Sequence, residues 1–263
     1  VLLETDYDSF INYNGFDEDE DAWQELLSFV KTGQLSAYKS LQECKAAVGG
    51  QPLLSRFGLL TRVKNGKIKR RIILDCKQSG LSAKTRRRYK IVLPKITDAV
   101  RDALILLSDR LPPEEVEVFV LDFTNAFWNV PLHKLERKWF VGRVRGLWLV
   151  YNTTAQGSRN GPLAWCTLAG LLSRLTQGLF CPRQEMRMQT YVDDPAITVK
   201  GIKSRRDRMI CIIITMWVVC GFKLAFDKAR RGPQVMWIGG TITLSTNQSM
   251  LRFLRRNQRT SSS

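Results

Sequence analysis

The sequence is poor in the residues that build most protein metal centres. It has one histidine, His133, and its six cysteines include no C-x-x-C pair. Structural zinc sites are assembled from closely spaced cysteine and histidine, so a zinc-bound module is not expected. The cysteines are typical of core residues in a reducing compartment, and we expect an intracellular protein, although the sequence leaves cytoplasm and nucleus open.

Long apolar runs are missing as well. The longest run, "MICIIITMWVVCGF" at residues 209–222, has 14 residues, whereas a helix that spans a bilayer needs about 20. The opening residues, "VLLETDYDSF", lack the basic segment with which a secretory signal peptide begins. We therefore expect no membrane partner, and we interpret the apolar run as a buried helix.

Acidic residues are scarce beyond the first tenth of the chain. Residues 1–25 contain nine acidic residues and no lysine or arginine, and residues 1–20 are expected to form a loosely ordered acidic lead-in. The remaining 238 residues have 41 basic and 15 acidic side chains, a net charge of +26, and they end in a polar tail at 255–263. Such a surplus favours a polyanionic partner, most simply nucleic acid, although a generically basic soluble protein would show the same total.

Helical and strand patterns alternate along the chain. Apolar residues at helical spacing predict a helix that ends at Gly33, and "SAYKSLQECKAAVGG" predicts a second helix over 36–50. Further helices are predicted at 97–111, with Thr97 as N-cap, at 161–178 and at 204–221. A strand is predicted at 115–123, with hairpins around Asn65-Gly66, around Arg145-Gly146, at 186–201 and at 234–244. This order indicates an α+β fold with a mainly antiparallel sheet.

Three aspartates stand at the ends of predicted strands. Asp193 and Asp194 lie in "MQTYVDDPAITV", and Asp122 ends an apolar strand 71 residues before Asp193. If the two strands are neighbours, three carboxylates meet at one edge of the sheet and repel one another unless a cation lies among them. Carboxylate oxygens suit Mg²⁺, and two such ions about 3.5–4 Å apart serve nucleotidyl transfer. On these residues alone, turn and strand-end roles for the same aspartates remain open.

Five segments, in order, resemble the reverse transcriptases of retroviruses and LTR retroelements, from about Pro52 to Leu244. "TYVDD" is similar to that family's Tyr-x-Asp-Asp motif, and "VLDFTNAFWNVPL" is similar to its first catalytic motif. "AQGSRNGPLAW" resembles the Gln-Gly segment, and "KRRIILDCKQSG" with "RYKIVLPKI" resembles the fingers segment. "FDKARRGPQVMWIGG" resembles the lysine loop and the primer-grip hairpin. Each segment alone is a weak signal, but their common order is highly specific.

The resemblance implies the fingers and palm of a right-hand polymerase over residues 21–263. Fingers are expected at about 50–120 and 138–160, and the palm, an antiparallel sheet backed by helices, in the remainder. No thumb is expected, because the chain ends soon after the primer-grip segment. Ribonuclease H and integrase signatures are also missing from the sequence, so we expect these domains to belong to other parts of a polyprotein.

The resemblance also implies a catalytic centre with two Mg²⁺ ions, which Mn²⁺ could replace. Asp122, Asp193 and Asp194 would hold the ions together with the backbone carbonyl of Phe123. Lys228 would protonate the leaving pyrophosphate, although a solvated surface lysine is the competing interpretation.

For the incoming dNTP, the resemblance implies a second set of residues. Arg71 and one of Lys64 and Lys67 would clamp the triphosphate. Phe127 would lie under the sugar and leave no room for a 2′-hydroxyl group, a plain core aromatic being the alternative. The other residues implied to contact the nucleotide are Asn125, Ala126, Gln156 and Gly157.

A third set is implied to hold the RNA and DNA template–primer. Tyr191 would support the catalytic turn, and the primer 3′ end would be positioned by Met236, Trp237 and Gly239.

The function implied is RNA-directed DNA polymerisation, in which a primer 3′-hydroxyl is extended with dNTPs on an RNA or DNA template. The sequence departs from the family at Pro195, directly after the aspartate pair, at Asn125 and in "SRNGP". A catalytically inactive, reverse-transcriptase-like fragment that binds nucleic acid is the main alternative. An RNA-dependent RNA polymerase would share the acids, but Phe127 argues against it.

Overall fold

The computed structural model describes residues 5–64, 67–180, 185–244 and 252–255. The chain divides into two compact units. Unit 1 consists of Val1–Lys90 and Phe127–Trp165, and unit 2 consists of Ile91–Ala126 and Cys166–Ser263. Residues 96–120, which the prediction places in the fingers, contribute to the core of unit 2. The naming of fingers and palm stays a prediction.

Six α-helices lie in the described residues: α1 (Glu20–Lys31), α2 (Leu41–Val48), α3 (Leu81–Lys84), α4 (Ile96–Ser108), α5 (Gly161–Gly178) and α6 (Lys203–Val219). The strands of unit 1 are β1 (Leu35–Tyr38), β2 (Arg56–Lys64), β3 (Lys67–Asp75), β5 (Val141–Val144) and β6 (Leu147–Tyr151). The strands of unit 2 are β4 (Glu115–Val120), β7 (Met186–Tyr191), β8 (Asp194–Gly201), β9 (Arg230–Gly232), β10 (Gln234–Trp237), β11 (Gly240–Thr243) and β12 (Arg252–Arg255).

Unit 1 is built on a long antiparallel hairpin, β2–β3, and a three-stranded antiparallel sheet in the order β1-β6-β5. Hydrogen bonds and an aromatic contact fix the acidic lead-in to these strands. The side-chain amide of Asn12 donates to the carbonyl of Arg143 and its oxygen accepts from the amide of Phe57. Phe16 is buried and stacks on the ring of Phe57. Apolar contact and backbone bonding therefore hold this part of the lead-in against the sheet.

Two predicted helix starts are wrong. Residues 35–38 form β1, because their backbone pairs with β6, and the helix α2 begins only after Ser40, whose hydroxyl accepts from the amide of Glu43. Helix α4 begins at Ile96, so Thr97 lies inside its first turn. There the carboxylate of Asp98 accepts from the amide of Lys95 at 2.7 Å and caps the helix in place of Thr97. The predicted turn residues Asn65 and Gly66 lie outside the described residues.

Unit 2 contains a four-stranded antiparallel sheet in the order β7-β8-β4-β9. Alternate residues of β4, namely Val116, Val118 and Val120, face a core to which α4 and the β10–β11 hairpin contribute. The predicted α+β class with antiparallel sheets is confirmed. Within the described part of the chain, no helix combines the length and apolar character that crossing a membrane requires.

A charged network joins α6 and β9 to β4. Arg206 is buried, and its guanidinium donates to Glu117, to Glu115 and to the carbonyl of Gly201. Arg231 donates to Glu117 and to Asp207. Burial works to raise the pKa of Glu117, but hydrogen bonds from Arg231 and Arg206 hold that pKa below its ordinary value. The buried guanidinium is thus fully paired, as a buried charge must be.

Candidate active site

Asp122 and the aspartate pair lie at the same end of two neighbouring strands. Strand β4 pairs with β8 from Glu115 opposite Gly201 to Val120 opposite Ala196. The pairing continues beyond the strands, since the amide of Leu121 donates to the carbonyl of Pro195 at 3.3 Å. The amide of Phe123 then donates to the carbonyl of Asp193 at 3.0 Å. The two strands are therefore neighbours, as a meeting of the three carboxylates requires.

A tight turn presents the aspartate pair. Val192 and Asp193 connect β7 to β8, and Tyr191 opposite Asp194 is the last pair of the hairpin. Val192 has a φ of 57°, a left-handed conformation that is an outlier for a β-branched residue. Such backbone strain persists where the surrounding structure fixes it, which is frequent at functional sites. Pro195 follows within β8, where it is buried opposite Thr190, so the sheet accommodates this departure from the family pattern.

The segment around Asp122 is held on its other side as well. The carbonyl of Asp122 accepts from the amide of Ala225 at 2.9 Å, and the amide of Thr124 donates to the carbonyl of Lys223 at 2.8 Å. The ring of Phe123 is buried against Trp217. Backbone bonds on both sides and one buried ring therefore fix the position from which the Asp122 side chain projects.

The carboxylate of Asp194 is affected by burial and by the charges of the other two aspartates. Burial, followed by the negative charges of Asp122 and Asp193, raises the pKa of Asp194 to about 7, an effect that the nearby Lys228 partly offsets. The ammonium group of Lys228 forms an ion pair with the carboxylate of Asp122. The site thus gathers negative charge and already attracts one cationic side chain.

The donor chemistry of this site fits a hard divalent cation. Asp122 and Asp193 lie close enough to Asp194 for their charges to raise its pKa, after the larger effect of burial, and carboxylate oxygens are the ligands that Mg²⁺ prefers. The described ranges nevertheless contain no group of three or more histidine, cysteine or acidic side chains disposed to hold a metal ion. In this conformation the carboxylate of Asp122 is engaged by Lys228. The predicted two-ion arrangement therefore stays a prediction.

The predicted primer-grip segment forms the β10–β11 hairpin. Met236 is exposed, whereas Trp237 is buried, with 1% of its surface exposed, and packs in the core of unit 2. Ile238 and Gly239 form the two-residue turn, with φ values of 39° and 83°. Both lie in the left-handed region, as a type I′ hairpin turn requires. The role of Met236, Trp237 and Gly239 at the primer stays a prediction.

A contact that the sequence analysis missed joins this hairpin to the aspartate pair. The indole N–H of Trp237 donates to the backbone carbonyl of Asp194 at 3.0 Å. Ile238, also missed, occupies the turn at a positive φ. A usable signal was present, because "WIGG" at the end of a strand pattern leaves Ile238-Gly239 as the turn and places Trp237 on the inward face.

Most residues predicted to bind the nucleotide belong to unit 1. Arg71 is exposed on β3, and Lys64 and Lys67 stand opposite each other where β2 ends and β3 begins. Phe127 is half-buried in a short 3₁₀ helix, Ala126–Asn129. Of the remaining residues, Ala126 is buried and Asn125 is exposed with a φ of 51°. That these residues and the aspartates act on one nucleotide stays a prediction.

Gln156 and Gly157 pack against β3. The carbonyl of Gln156 accepts from the amide of Leu74 at 2.9 Å. Gly157 has a φ of 108°, and a Cβ atom there would lie 2.1 Å from the carbonyl oxygen of Leu74. Only glycine fits this approach of two backbone segments. The fold of unit 1 by itself therefore explains the glycine, and a contact with nucleotide stays a prediction.

Comparison with known proteins identifies the family. The family model described as reverse transcriptase (RNA-dependent DNA polymerase) matches residues 69–242, which include all three aspartates. Among solved structures, a foamy viral protease-reverse transcriptase, determined in complex with ds DNA, matches with a TM-score of 0.62 and 17% sequence identity. The match covers 89% of this chain, which spans 35% of that one. No curated protein matches the sequence. The resemblance seen in the sequence is thus confirmed, and the chain belongs to the reverse transcriptase (RNA-dependent DNA polymerase) family.

Proposed function

We propose that this chain is the RNA-directed DNA polymerase domain of a retroelement. It adds dNTPs to a primer 3′-hydroxyl as a template directs. The observation that supports the proposal most is the meeting of Asp122, Asp193 and Asp194 at one end of adjacent strands. Burial and the negative charges of Asp122 and Asp193 raise the pKa of Asp194, which indicates carboxylates gathered for a cation rather than isolated turn residues.

Metal binding at the aspartates is part of the proposal. Two Mg²⁺ ions, when bound, would supply the positive charge that activates the primer hydroxyl and stabilises the leaving pyrophosphate. The carboxylates of Asp122, Asp193 and Asp194 and the carbonyl of Phe123 would hold them. The backbone bonds from Phe123 to Asp193 and from Ala225 to Asp122 support this role, because they fix the ligands before any ion arrives.

Cationic side chains would neutralise the negative charge of the nucleotide phosphates. Lys228 lies beside Asp122, and it would release that carboxylate and donate its proton to the pyrophosphate oxygen. The exposed guanidinium of Arg71, with Lys64 or Lys67, would bind the triphosphate oxygens. Phe127 would pack under the deoxyribose and exclude ribonucleotides. Gln156 would contact the nucleotide from the loop that packs on β3.

Template–primer is the macromolecular partner that we propose. The net charge of +26 over residues 26–263 supports a polyanion. The foamy viral relative was solved with ds DNA, which agrees with this choice. Thumb, ribonuclease H and integrase domains of a polyprotein are further partners that we propose.

A second candidate is a reverse-transcriptase-like fragment that binds nucleic acid without catalysis. One observation favours it. In the described residues, no three potential ligands are disposed to hold a metal, and Lys228 is paired with Asp122. A pure binding module, however, has no need of three acids beside a polyanion. This argues for the polymerase.

Primer extension tests the proposal. Wild-type chain, an RNA template, a labelled DNA primer, dNTPs and Mg²⁺ should give extended primer, and Asp193→Asn with Asp194→Asn should abolish extension. Asp8→Asn with Glu18→Gln is the matched control, because it removes two exposed acids of the lead-in and should leave extension intact. Binding of primer–template is measured in parallel by fluorescence anisotropy. Binding without extension by the wild-type chain would support the second candidate instead.

A further inference from the structure

Unit 1 contains a cavity of about 370 Å³. All its lining residues fall within 76–86 and 130–164, so they belong to one compact unit, and none of them is among the residues predicted to act in catalysis or to bind substrate. Close-packed protein interiors hold few voids larger than a water molecule, and small-molecule sites begin at about 300 Å³. A space of this size is therefore a candidate ligand site.

One wall of the cavity is formed by "SRNGP", the segment in which the sequence departs from the family pattern. Residues 158–161 line the cavity and are hydrogen-bonded to the segment that lines it beside them. The guanidinium of Arg159 donates to the carbonyl of Ser82 at 2.8 Å, and the side-chain amide of Asn160 donates to the carbonyl of Arg86 at 3.2 Å. These bonds hold the wall in place before any ligand arrives.

Apolar and aromatic side chains make up much of the lining. They include Leu81, Val130, Leu132, Trp139 and Phe140. Leu81 is buried and the other four are half-buried, so a bound molecule would cover apolar surface that water now reaches. Aromatic side chains pack best against other flat rings. The lining therefore favours a ligand with a planar ring system.

Three polar groups of the lining have no partner among the described residues. The guanidinium of Arg86 and the carboxylate of Glu136 are exposed and form no ion pair there. The side-chain oxygen of Asn160 is buried and accepts no hydrogen bond. A guanidinium binds phosphate oxygens through two parallel hydrogen bonds, whereas a carboxylate and an amide oxygen accept from N–H groups. These groups favour a ligand that carries both a phosphate and an amino group.

We propose that this cavity binds a purine nucleoside 5′-monophosphate whose base has an exocyclic amino group. The base packs against Trp139 and Phe140, its N–H groups donate to Asn160 and Glu136, and its phosphate accepts from Arg86. The inference goes beyond the proposed function and does not depend on it. A free nucleotide and the 5′-phosphorylated end of a strand both offer this chemistry.

The test is binding of adenosine 5′-monophosphate to the full chain, measured by isothermal titration calorimetry. EDTA is present and dNTP is left out, so that no metal-dependent nucleotide site contributes. We expect saturable binding at one site. Adenosine, which lacks the phosphate, and purine riboside 5′-monophosphate, which lacks the amino group, should each bind about tenfold more weakly or worse.

Two variants and a control locate the binding. Ser158→Trp places an indole in the cavity and should abolish binding. Arg86→Gln should weaken adenosine 5′-monophosphate about tenfold or more and leave the affinity for adenosine unchanged, because only the phosphate contact is lost. Arg88→Gln makes the same charge change at an exposed arginine that does not line the cavity, and it should bind as wild type does. If Ser158→Trp does not fold, Arg86→Gln and its control carry the test.

A short oligoadenylate, with and without a 5′-phosphate, distinguishes the two sources of the ligand. Binding of adenosine 5′-monophosphate that Arg86→Gln weakens and Arg88→Gln retains supports a free nucleotide. If only the oligoadenylate binds, and its 5′-phosphate raises affinity in wild type but not in Arg86→Gln, the strand end is the ligand. Absence of both effects, or equal losses in Arg86→Gln and Arg88→Gln, would overturn the inference. Primer extension enters none of these measurements, so a failure here and a failure of the proposed function are told apart.

Discussion

Lys228 and Trp237 contact two of the three aspartates in different ways. The ammonium of Lys228 forms an ion pair with the side chain of Asp122, whereas the indole N–H of Trp237 donates to the backbone carbonyl of Asp194. Burial, followed by the negative charges of Asp122 and Asp193, raises the pKa of Asp194 to about 7, and Lys228 and Trp237 only partly offset this rise. A cluster of carboxylates whose negative charge is only partly neutralised is suited to attract a divalent cation.

We predict that Phe127 selects deoxyribose over ribose in the incoming nucleotide. Its half-buried ring leaves a surface against which a sugar could pack, and Phe127→Val would open space for a 2′-hydroxyl group. We expect the preference for dNTP over rNTP, measured as a ratio of kcat/KM values, to fall by about tenfold or more. Single-nucleotide extension with matched dNTP and rNTP measures the ratio.

Phe127→Tyr is the matched control for this prediction. It keeps the bulk of the ring, so the ratio should remain at the wild-type value. An unchanged ratio in Phe127→Val would remove Phe127 from sugar selection and return it to the role of a packing residue.

Residues differ in how far the sequence could predict them. Asp122, Asp193 and Asp194 could be found, because strand patterns that end in acids predict where carboxylates meet. The ion pair of Lys228 and the bond from Trp237 could not, because both depend on how distant segments pack, 106 and 43 residues from their partners. Gly157 was predicted as a functional glycine, but its need for glycine comes from the carbonyl of Leu74.

At the scale of elements, the acidic lead-in contacts the basic hairpin of unit 1. Arg70 on β3 pairs with Asp19 and with Asp21 at the start of α1, at 3.2 Å and 2.9 Å. Arg145, between β5 and β6, pairs with Glu20 at 2.8 Å. These exposed pairs add little to stability. They do, however, occupy basic groups that a phosphate backbone could otherwise contact.

We predict that Asp19→Asn with Asp21→Asn raises affinity for primer–template. Asparagine caps helices as well as aspartate does, so α1 should keep its start, where the side chain of Asp19 accepts from the amide of Ala22. Arg70 becomes available, and the log–log slope of affinity against salt should steepen by up to about 0.9, the value for one more duplex phosphate neutralised. Fluorescence anisotropy at several salt concentrations measures both quantities.

Asp8→Asn with Glu18→Gln provides the comparison, because both acids are exposed and the charge change is the same. If the two double variants bind alike, the gain comes from net charge, and the contact with Arg70 has no part in it. A wild-type slope in Asp19→Asn with Asp21→Asn would mean that Arg70 does not reach a phosphate.

Helices and hairpins with a clear hydrophobic periodicity could be predicted from the sequence. Elements that depend on partners distant in the sequence could not. The periodicity of α5 and α6 and the hairpin patterns of β5–β6 and β10–β11 suffice to place them. The sequence pattern predicts a helix where β1 lies, because the four residues of β1 form a strand only by pairing with β6, more than a hundred residues later. The ion pairs of the buried Arg206 of α6 could not be predicted either, since its partners Glu115 and Glu117 lie on β4.

At the scale of the whole molecule, the acidic residues are concentrated near one end of the sequence. Nine of the 24 acidic residues fall within residues 1–25, so the rest of the chain presents a large cationic excess to any partner. Affinity that comes from cations on phosphates is lost as salt rises, because counterions released on binding must be released into a more concentrated solution. Affinity that comes from apolar or base contacts lacks this dependence.

We therefore expect the affinity of wild-type chain for primer–template to fall steeply between about 50 and 200 mM salt, with a log–log slope near −0.9 for each duplex phosphate that is neutralised. The slope should be the same in Asp193→Asn with Asp194→Asn, assayed without divalent ions, because the basic surface and not the aspartate group supplies the binding. A steep slope that this variant retains would separate binding from catalysis within one chain. A flat response in the wild type would contradict binding by the basic surface and would leave the charge asymmetry without a role in nucleic-acid recognition.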